Sequence, residues 1–273
     1  MDQNLKKIYI EDSTFAHCEF SNNPLPPIQK SKDVIWDRSR KYTEEDEVIY
    51  TDEKVLQSRK DNEKDIAWLI EPRKLKPILY DYIEKNHKLF KSIFTHDKKL
   101  LSLKNSKLIP YGGCWIDEED CKIFTKTKNI SIISSGKRQL DGHRLRHEVI
   151  KKYKKNIDVY GKGYKEIRKK ITGLKEYRFQ IVIENCKTDY WFTEKLIDCL
   201  ITGTLPIYYG CPSIGKFFNE KGFIVISNTE DLKDIFPQIN KDLYDSKKKY
   251  IKENFELAKK YFLAEKYIAE QFK

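Results

Sequence analysis

Residues Tyr177 to Gly210 read YRFQIVIENCKTDYWFTEKLIDCLITGTLPIYYG, and this stretch decides the fold class. Phe179 to Ile183 is an apolar run of strand length, Thr193 can cap a helix that Gly203 ends, and Leu205 to Tyr209 is the next strand. Strand, helix and strand in that order imply parallel pairing through a right-handed crossover. In such sheets ligands sit beyond the carboxyl ends of the strands, where a helix N-terminus offers free N–H groups to anions. Glu184, Asn185, Thr193, Glu194 and Lys195 all fall at that place. A cation in the first helical turn opposes the helix dipole unless it answers an anion, so Lys195 points to a phosphate. Glu194 beside it has the acceptor oxygens that a ribose diol needs.

The same alternation extends upstream. Helix His143 to Tyr153, strand Ile157 to Tyr160 and helix Tyr164 to Gly173 precede the central stretch, and Ile130 to Ser134 is a β-branched strand before them. Nearer the N-terminus, Lys7 to Ile10, Asp33 to Trp36, Ile66 to Ile70 and Ser92 to Thr95 read as strands. Leu108 to Trp115 reads as a strand and turn, and a helix follows Pro77. Pro24, Pro26 and Pro27 mark an irregular loop, and the polar stretch Tyr42 to Asn62 reads as a long loop. Asp245 to Phe272 carries apolar residues at helical spacing and reads as one long amphipathic helix. The expected organisation is an N-terminal α/β domain over 1–128, a second Rossmann-like domain over 129–250, and a terminal helix over 251–273 packing back toward the first.

These motifs resemble the family-ten glycosyltransferases, the α-1,3/1,4-fucosyltransferases, in which a strand ends in Glu-Asn and Thr-Glu-Lys opens the next helix. Glu184-Asn185-Cys186, Thr193-Glu194-Lys195 and Gly203-Thr204-Leu205-Pro206-Ile207 are similar to that signature. Upstream, Ile66 to Pro72 is similar to the apolar strand whose glutamate is that family's general base, which makes Glu71 the catalytic candidate here. Asp158-Val159-Tyr160-Gly161 and the preceding arginine-bearing helix also resemble the family. Of Arg138, Arg144 and Arg146, the last has the spacing expected of a diphosphate-binding residue. The chain departs from the pattern at Asp189-Tyr190-Trp191-Phe192-Thr193, where the aromatic pair is displaced by one position, so either Tyr190 or Trp191 makes the nucleotide contact.

The resemblance implies an α/β fold of the GT-B type, two Rossmann-like domains facing across a cleft. It further implies an inverting glycosyltransferase that moves a sugar, foremost L-fucose from GDP-fucose, onto a hydroxyl of a glycan acceptor. Another nucleotide sugar is the alternative donor. No cofactor is expected beyond the donor, and no metal: the sequence has no Asp-x-Asp, and Asp117-Glu118-Glu119-Asp120 reads as a solvated loop.

Composition is compatible with this and excludes other classes. Of 273 residues, 53 are Lys or Arg and 42 Asp or Glu, giving a net charge of +11, which attracts polyanions without saying which. The basic run Lys151 to Lys170 reads as a solvated helical face. A nucleic-acid-binding protein is the rival from another class, but the helix-turn-helix, RRM and zinc-finger signatures are absent. No apolar run approaches the roughly 20 residues of a membrane span, leaving only peripheral membrane contact open. Met1 to Ile10 is followed by Glu11 and Asp12 rather than by a signal-peptide core. Six cysteines, Cys18, Cys114, Cys121, Cys186, Cys199 and Cys211, form no Cys-x-x-Cys pair. The expectation is a soluble cytoplasmic chain with reduced thiols.

Overall fold

In the computed structural model, which describes residues 6–12, 34–59 and 62–272, the strands form two separate parallel sheets. Cys18 and the proline loop lie outside the described residues. The first sheet has the order β2-β1-β3-β4-β5-β6, from β1 (Lys6–Glu11), β2 (Val34–Asp37), β3 (Val48–Thr51), β4 (Asp65–Trp68), β5 (Ser92–Thr95) and β6 (Ser106–Leu108). Every neighbouring pair in it is parallel. Side chains alternate between its two faces, as the strand period of two requires. Tyr9, Val48, Tyr50, Ala67 and Ile93 enter one core, which α1 (Pro77–Asn86) covers with Leu79, Tyr80 and Ile83. Ile8, Ile10, Ile49, Ile66, Trp68 and Phe94 enter the other.

The second sheet runs β11-β10-β9-β7-β8, again all parallel. Its strands are β7 (Lys128–Ile133), β8 (Asp158–Tyr160), β9 (Tyr177–Ile183), β10 (Leu205–Tyr209) and β11 (Ile224–Val225). Five helices accompany them: α2 (Asp141–Tyr153), α3 (Glu194–Ile201), α4 (Asp231–Ile235), α5 (Lys241–Ser246) and α6 (Lys248–Ala258). From α2, Leu145, Val149, Ile150 and Tyr153 pack on the sheet with Leu232, Tyr244 and Ile251. The connection after β7 leads outward to β8, whereas the one after β9 leads the other way to β10. The neighbouring ends of β7 and β9 are therefore a topological switch point, the place where parallel sheets open a crevice for ligands.

Four elements differ from what the sequence implied. Val48 to Thr51, inside the expected loop, is a fully buried interior strand; at four residues between acidic runs it shows no period to read. Tyr164 to Lys169 is not helical, and only Lys170–Gly173 forms a 3₁₀ turn, because the backbone at Lys165 bridges back to Tyr160 and the Lys165 carbonyl accepts the Gly161 N–H at 2.9 Å. The strand expected at Leu108 ends there as β6, and Gly112 makes only an isolated bridge to Thr193. The long terminal helix is broken: α6 stops at Ala258, and α7 (Ala264–Glu270) begins after an extended Leu263. The break coincides with Tyr261, whose carbonyl accepts the Gly113 N–H at 2.8 Å.

The compact units divide at Tyr111–Gly112, ahead of the 128/129 boundary read from the sequence. Residues just beyond Gly112 belong with the second sheet; the Trp115 N–H, for example, donates to Asp198 at 2.7 Å. Two later segments return to the first unit, Asp189–Trp191 and the stretch from Leu263 onward. There α7 places Ala264, Ile268 and Ala269 against Ile8, Ile49 and Ile66.

Candidate active site

The Glu-Asn that ends β9 is a junction of buried polar groups. Glu184 is 0% exposed, and its carboxylate accepts both the Thr193 N–H and the Thr193 hydroxyl at 2.8 Å. Burial raises the pKa of Glu184, and Lys195, 3.7 Å away, opposes that rise. The glutamate therefore faces inward: it fixes Thr193, which is itself buried and caps α3 by accepting from the Lys195 N–H. Neither residue presents its side chain to solvent, contrary to the direct nucleotide contacts expected of both.

Lys195 is the accessible member, with 28% of its side chain exposed. Its ammonium lies 3.0 Å from Thr193 Oγ1 and 3.2 Å from Glu194 Oε1. Glu194 Oε1 is also 3.5 Å from Lys170, and Lys170 is 2.9 Å from Asp198. Burial, the largest influence on Glu194, works against its charge, yet Lys195 and Lys170 together hold its pKa at about 2. A carboxylate so held stays an acceptor across the physiological range. Lys170 was not legible as a site residue, because it sits in a basic run that looks like a solvated surface.

Arg146 reaches the same strand end from α2. Its Nε and Nη2 donate to the Ile183 carbonyl at 2.9 and 2.6 Å, and Nη2 also donates to Asn185 Oδ1 at 2.9 Å. Arg144 is turned instead to Asp141 and the Gln139 carbonyl, and Arg138 is exposed. The start of α2 approaches β9 closely because residue 142 is glycine. Its N–H donates to the Asn185 carbonyl at 3.0 Å, and a Cβ there would stand 1.8 Å from the Glu184 carbonyl oxygen. His143, next along, is buried, and burial together with Arg146 lowers its pKa to about 4. Sequence reading missed it; its place in the first turn after a switch-point strand is the signal that marks it.

The aromatic pair separates. Tyr190 is half-buried in a left-handed conformation, φ 60°. Trp191 is buried in the first unit, where its indole N–H donates to the Ile70 carbonyl at 3.0 Å. Trp191 is thus withdrawn from ligand contact, and Tyr190 is the member left at the surface of the loop.

Glu71 follows the end of β4 and is half-buried. The neighbouring His96-Asp97, at the end of β5, is not free to meet a ligand. His96 is buried, with burial lowering its pKa to about 4, and Asp97 is held by Arg73 through two bonds of 2.9 and 2.8 Å. In the acidic loop, Asp117, Glu119 and Asp120 bring one oxygen each within 4.8 Å of one another. The Lys169 ammonium lies 2.5 Å from Asp117 there.

Two parallel α/β sheets, with a phosphate-competent helix start at the switch point of the second, define a Rossmann-like protein of the GT-B class. A family profile described as glycosyltransferase family 10 (fucosyltransferase) C-term matches residues 123–272, more than half of the chain. The chain belongs to that family. It is 36% identical over 91 residues to alpha-(1,3)-fucosyltransferase FucT of Helicobacter pylori and 38% identical over 78 residues to alpha-(1,3)-fucosyltransferase B of Drosophila melanogaster. Those stretches are 33% and 28% of this chain but only 18% and 17% of the two relatives, so the matched part spans less than a fifth of either. Among solved structures, alpha1,3-fucosyltransferase crystallised with GDP shares the fold at a TM-score of 0.58 and 15% identity, over 99% of this chain and 92% of that one. No helix among the described residues is long and apolar enough to cross a membrane.

Proposed function

We propose that this chain transfers L-fucose from GDP-fucose to a hydroxyl of a glycan, by a single displacement with inversion. The observation that carries the reading is the polar cluster at the end of β9, where Arg146, Asn185, Thr193, Glu194 and Lys195 converge in a member of this family. That a related fold was crystallised with GDP favours a guanosine diphosphate donor.

The chemistry follows from the charges. As the bond between the anomeric carbon and the diphosphate oxygen breaks, the sugar becomes oxocarbenium-like and negative charge grows on the leaving GDP. Lys195, together with the N–H groups that open α3, stabilises that growing charge more than the ground state. Arg146 orients Asn185 and adds positive potential from below. Glu194, ionised, accepts from the ribose diol, and Tyr190 lies along the nucleotide. The acceptor oxygen forms its bond to the anomeric carbon as its proton passes to Glu71. Fixed cations take the place that a metal fills in Asp-x-Asp transferases, so transfer proceeds without added divalent ions.

Incubation with GDP-fucose and an oligosaccharide array, followed by NMR of the product, tests this. The expected product carries fucose with its anomeric configuration inverted relative to the donor, in EDTA as well as in magnesium. Glu71→Gln is expected to lower the rate on the order of 10²–10⁴-fold while leaving GDP affinity unchanged. Retention of configuration, or transfer only from a UDP-sugar, would overturn the reading.

A further inference from the structure

Beyond the last paired residues of β4, the two-residue segment Ile70-Glu71 has no strand partner in the register, which ends at Trp68 against Thr51 and Phe94. Its backbone polar groups are nevertheless all bound, and each by a buried side chain. Asp52 Oδ1 accepts both N–H groups, from Ile70 at 2.9 Å and from Glu71 at 3.2 Å. The Trp191 indole N–H donates to the Ile70 carbonyl at 3.0 Å, and the Tyr80 hydroxyl donates to the Glu71 carbonyl at 2.7 Å. Asp52, Tyr80 and Trp191 are 0%, 0% and 1% exposed. They come from three places in the chain: the turn after β3, the helix α1, and the short segment Asp189–Trp191.

This arrangement is costly, which argues against an incidental loop contact. Asp52 adopts φ 42°, a conformation that non-glycine residues seldom take. Burial, with the charge of Glu71 adding to it, pushes its carboxyl up to about 7. Such costs are retained where the surrounding structure over-determines a position. Pro72 adds a fourth constraint, since the residue before proline is confined to extended backbone.

We propose that Asp52, Tyr80 and Trp191 are positioning residues for Glu71, a cradle that fixes the backbone from which the base reaches the acceptor. The inference rests on the reading of Glu71 as the base. Trp191 thereby acquires a role different from nucleotide contact: it acts on the base through the Ile70 carbonyl.

The test uses variants of the whole chain. Tyr80→Phe removes one donor and keeps the ring, Trp191→Phe removes one donor and replaces the buried indole by a smaller ring, and Asp52→Asn keeps an acceptor oxygen that Asp52→Leu lacks. The assay is GDP release from GDP-fucose with the acceptor that an oligosaccharide array gives for the wild-type chain. Displacement of a catalytic group by about 1 Å costs on the order of 100-fold, so the two Phe variants are expected to lower kcat roughly ten- to a hundred-fold, with the KM for GDP-fucose unchanged. Asp52→Asn should retain several-fold more rate than Asp52→Leu. Introduced beside Glu71→Gln, the Phe variants should lower the residual rate no further, because they act through the carboxylate that is already gone. If both Phe variants keep wild-type kcat, or their effects multiply fully with that of Glu71→Gln, the cradle is only structural and the inference fails. If Glu71→Gln itself keeps full activity, or the wild-type chain releases no GDP, the base reading fails first and takes the inference with it.

Discussion

Glycine at 142 is what lets the helix carrying Arg146 touch the end of β9. Gly142→Ala would drive a Cβ into the Glu184 carbonyl, so the helix must shift and Arg146 must lose its bonds to Ile183 and Asn185. GDP affinity, measured by calorimetry, is expected to fall at least ten-fold, whereas Gly136→Ala, with nothing within 4 Å of its Cβ position, should leave it unchanged. Glu194 offers a second test at this scale. Its folded-state pKa is depressed from the usual 4.5 to about 2, so the stability it contributes is fully present above pH 4.5 and is lost as pH falls toward 2. In urea titrations, Glu194→Gln should be less stable than wild type by on the order of 2 kcal/mol at pH 7. That gap should narrow between pH 4.5 and 3; a constant gap would mean that the ion pairs to Lys195 and Lys170 are not what holds the charge.

Among the elements, α3 and the strands beside it depend on a buried lysine outside the candidate site, one whose pKa burial lowers to about 7. Lys126, almost fully buried, donates to the Leu174 and Thr202 carbonyls at 3.1 and 2.8 Å and to Thr204 Oγ1 at 2.8 Å. It joins the approach to β9 with the turn that carries the chain from α3 to β10. Lys126→Met fills the space but removes one donor from each acceptor. The Leu174 carbonyl keeps the Tyr177 N–H and the Thr204 hydroxyl at 3.0 and 3.1 Å, whereas the Thr202 carbonyl keeps only the Phe124 N–H at 3.5 Å, and one poorly satisfied buried group costs about 1–3 kcal/mol. A stability loss of roughly 1–3 kcal/mol in denaturant titration is expected, with GDP affinity kept in the folded protein.

The second sheet was legible element by element because its strands and helices carry their signals locally. Phe179 to Ile183, Thr193 to Gly203 and Leu205 to Tyr209 each contain their own period, cap or stop. The misreadings share a cause. Val48 to Thr51 is a strand through its neighbours rather than through its own pattern, and the chain after Tyr164 is held by the backbone bridge of Lys165 to Tyr160. The break after Ala258 comes where α6 packs with the second sheet and α7 with the first.

For the whole molecule, the candidate site was legible wherever a motif is contiguous: Glu184-Asn185 and Thr193-Glu194-Lys195 are adjacent in sequence as well as in space. What escaped reading is which distant side chains hold each candidate in place. Asp52, Tyr80 and Trp191 lie 19, 9 and 120 positions from Glu71, and nothing in their spacing announces that they meet one two-residue segment. Lys170 and Asp198 likewise complete the charge chain of Glu194 across 28 positions. Contiguity also explains the reversal of roles at Glu184 and Thr193, where the sequence reveals the cluster but not which members face inward.

Thermal denaturation with a panel of nucleotides reads out whether the second unit binds a guanosine diphosphate through the start of α3. A ligand that binds only the folded state raises its apparent stability by mass action, about 2.7 kcal/mol at a hundred times Kd. GDP and GDP-fucose are expected to raise Tm in the presence of EDTA, UDP is not, and Lys195→Ala is expected to abolish the shift. A shift with UDP alone, or a GDP shift that survives Lys195→Ala undiminished, would contradict this mode of binding.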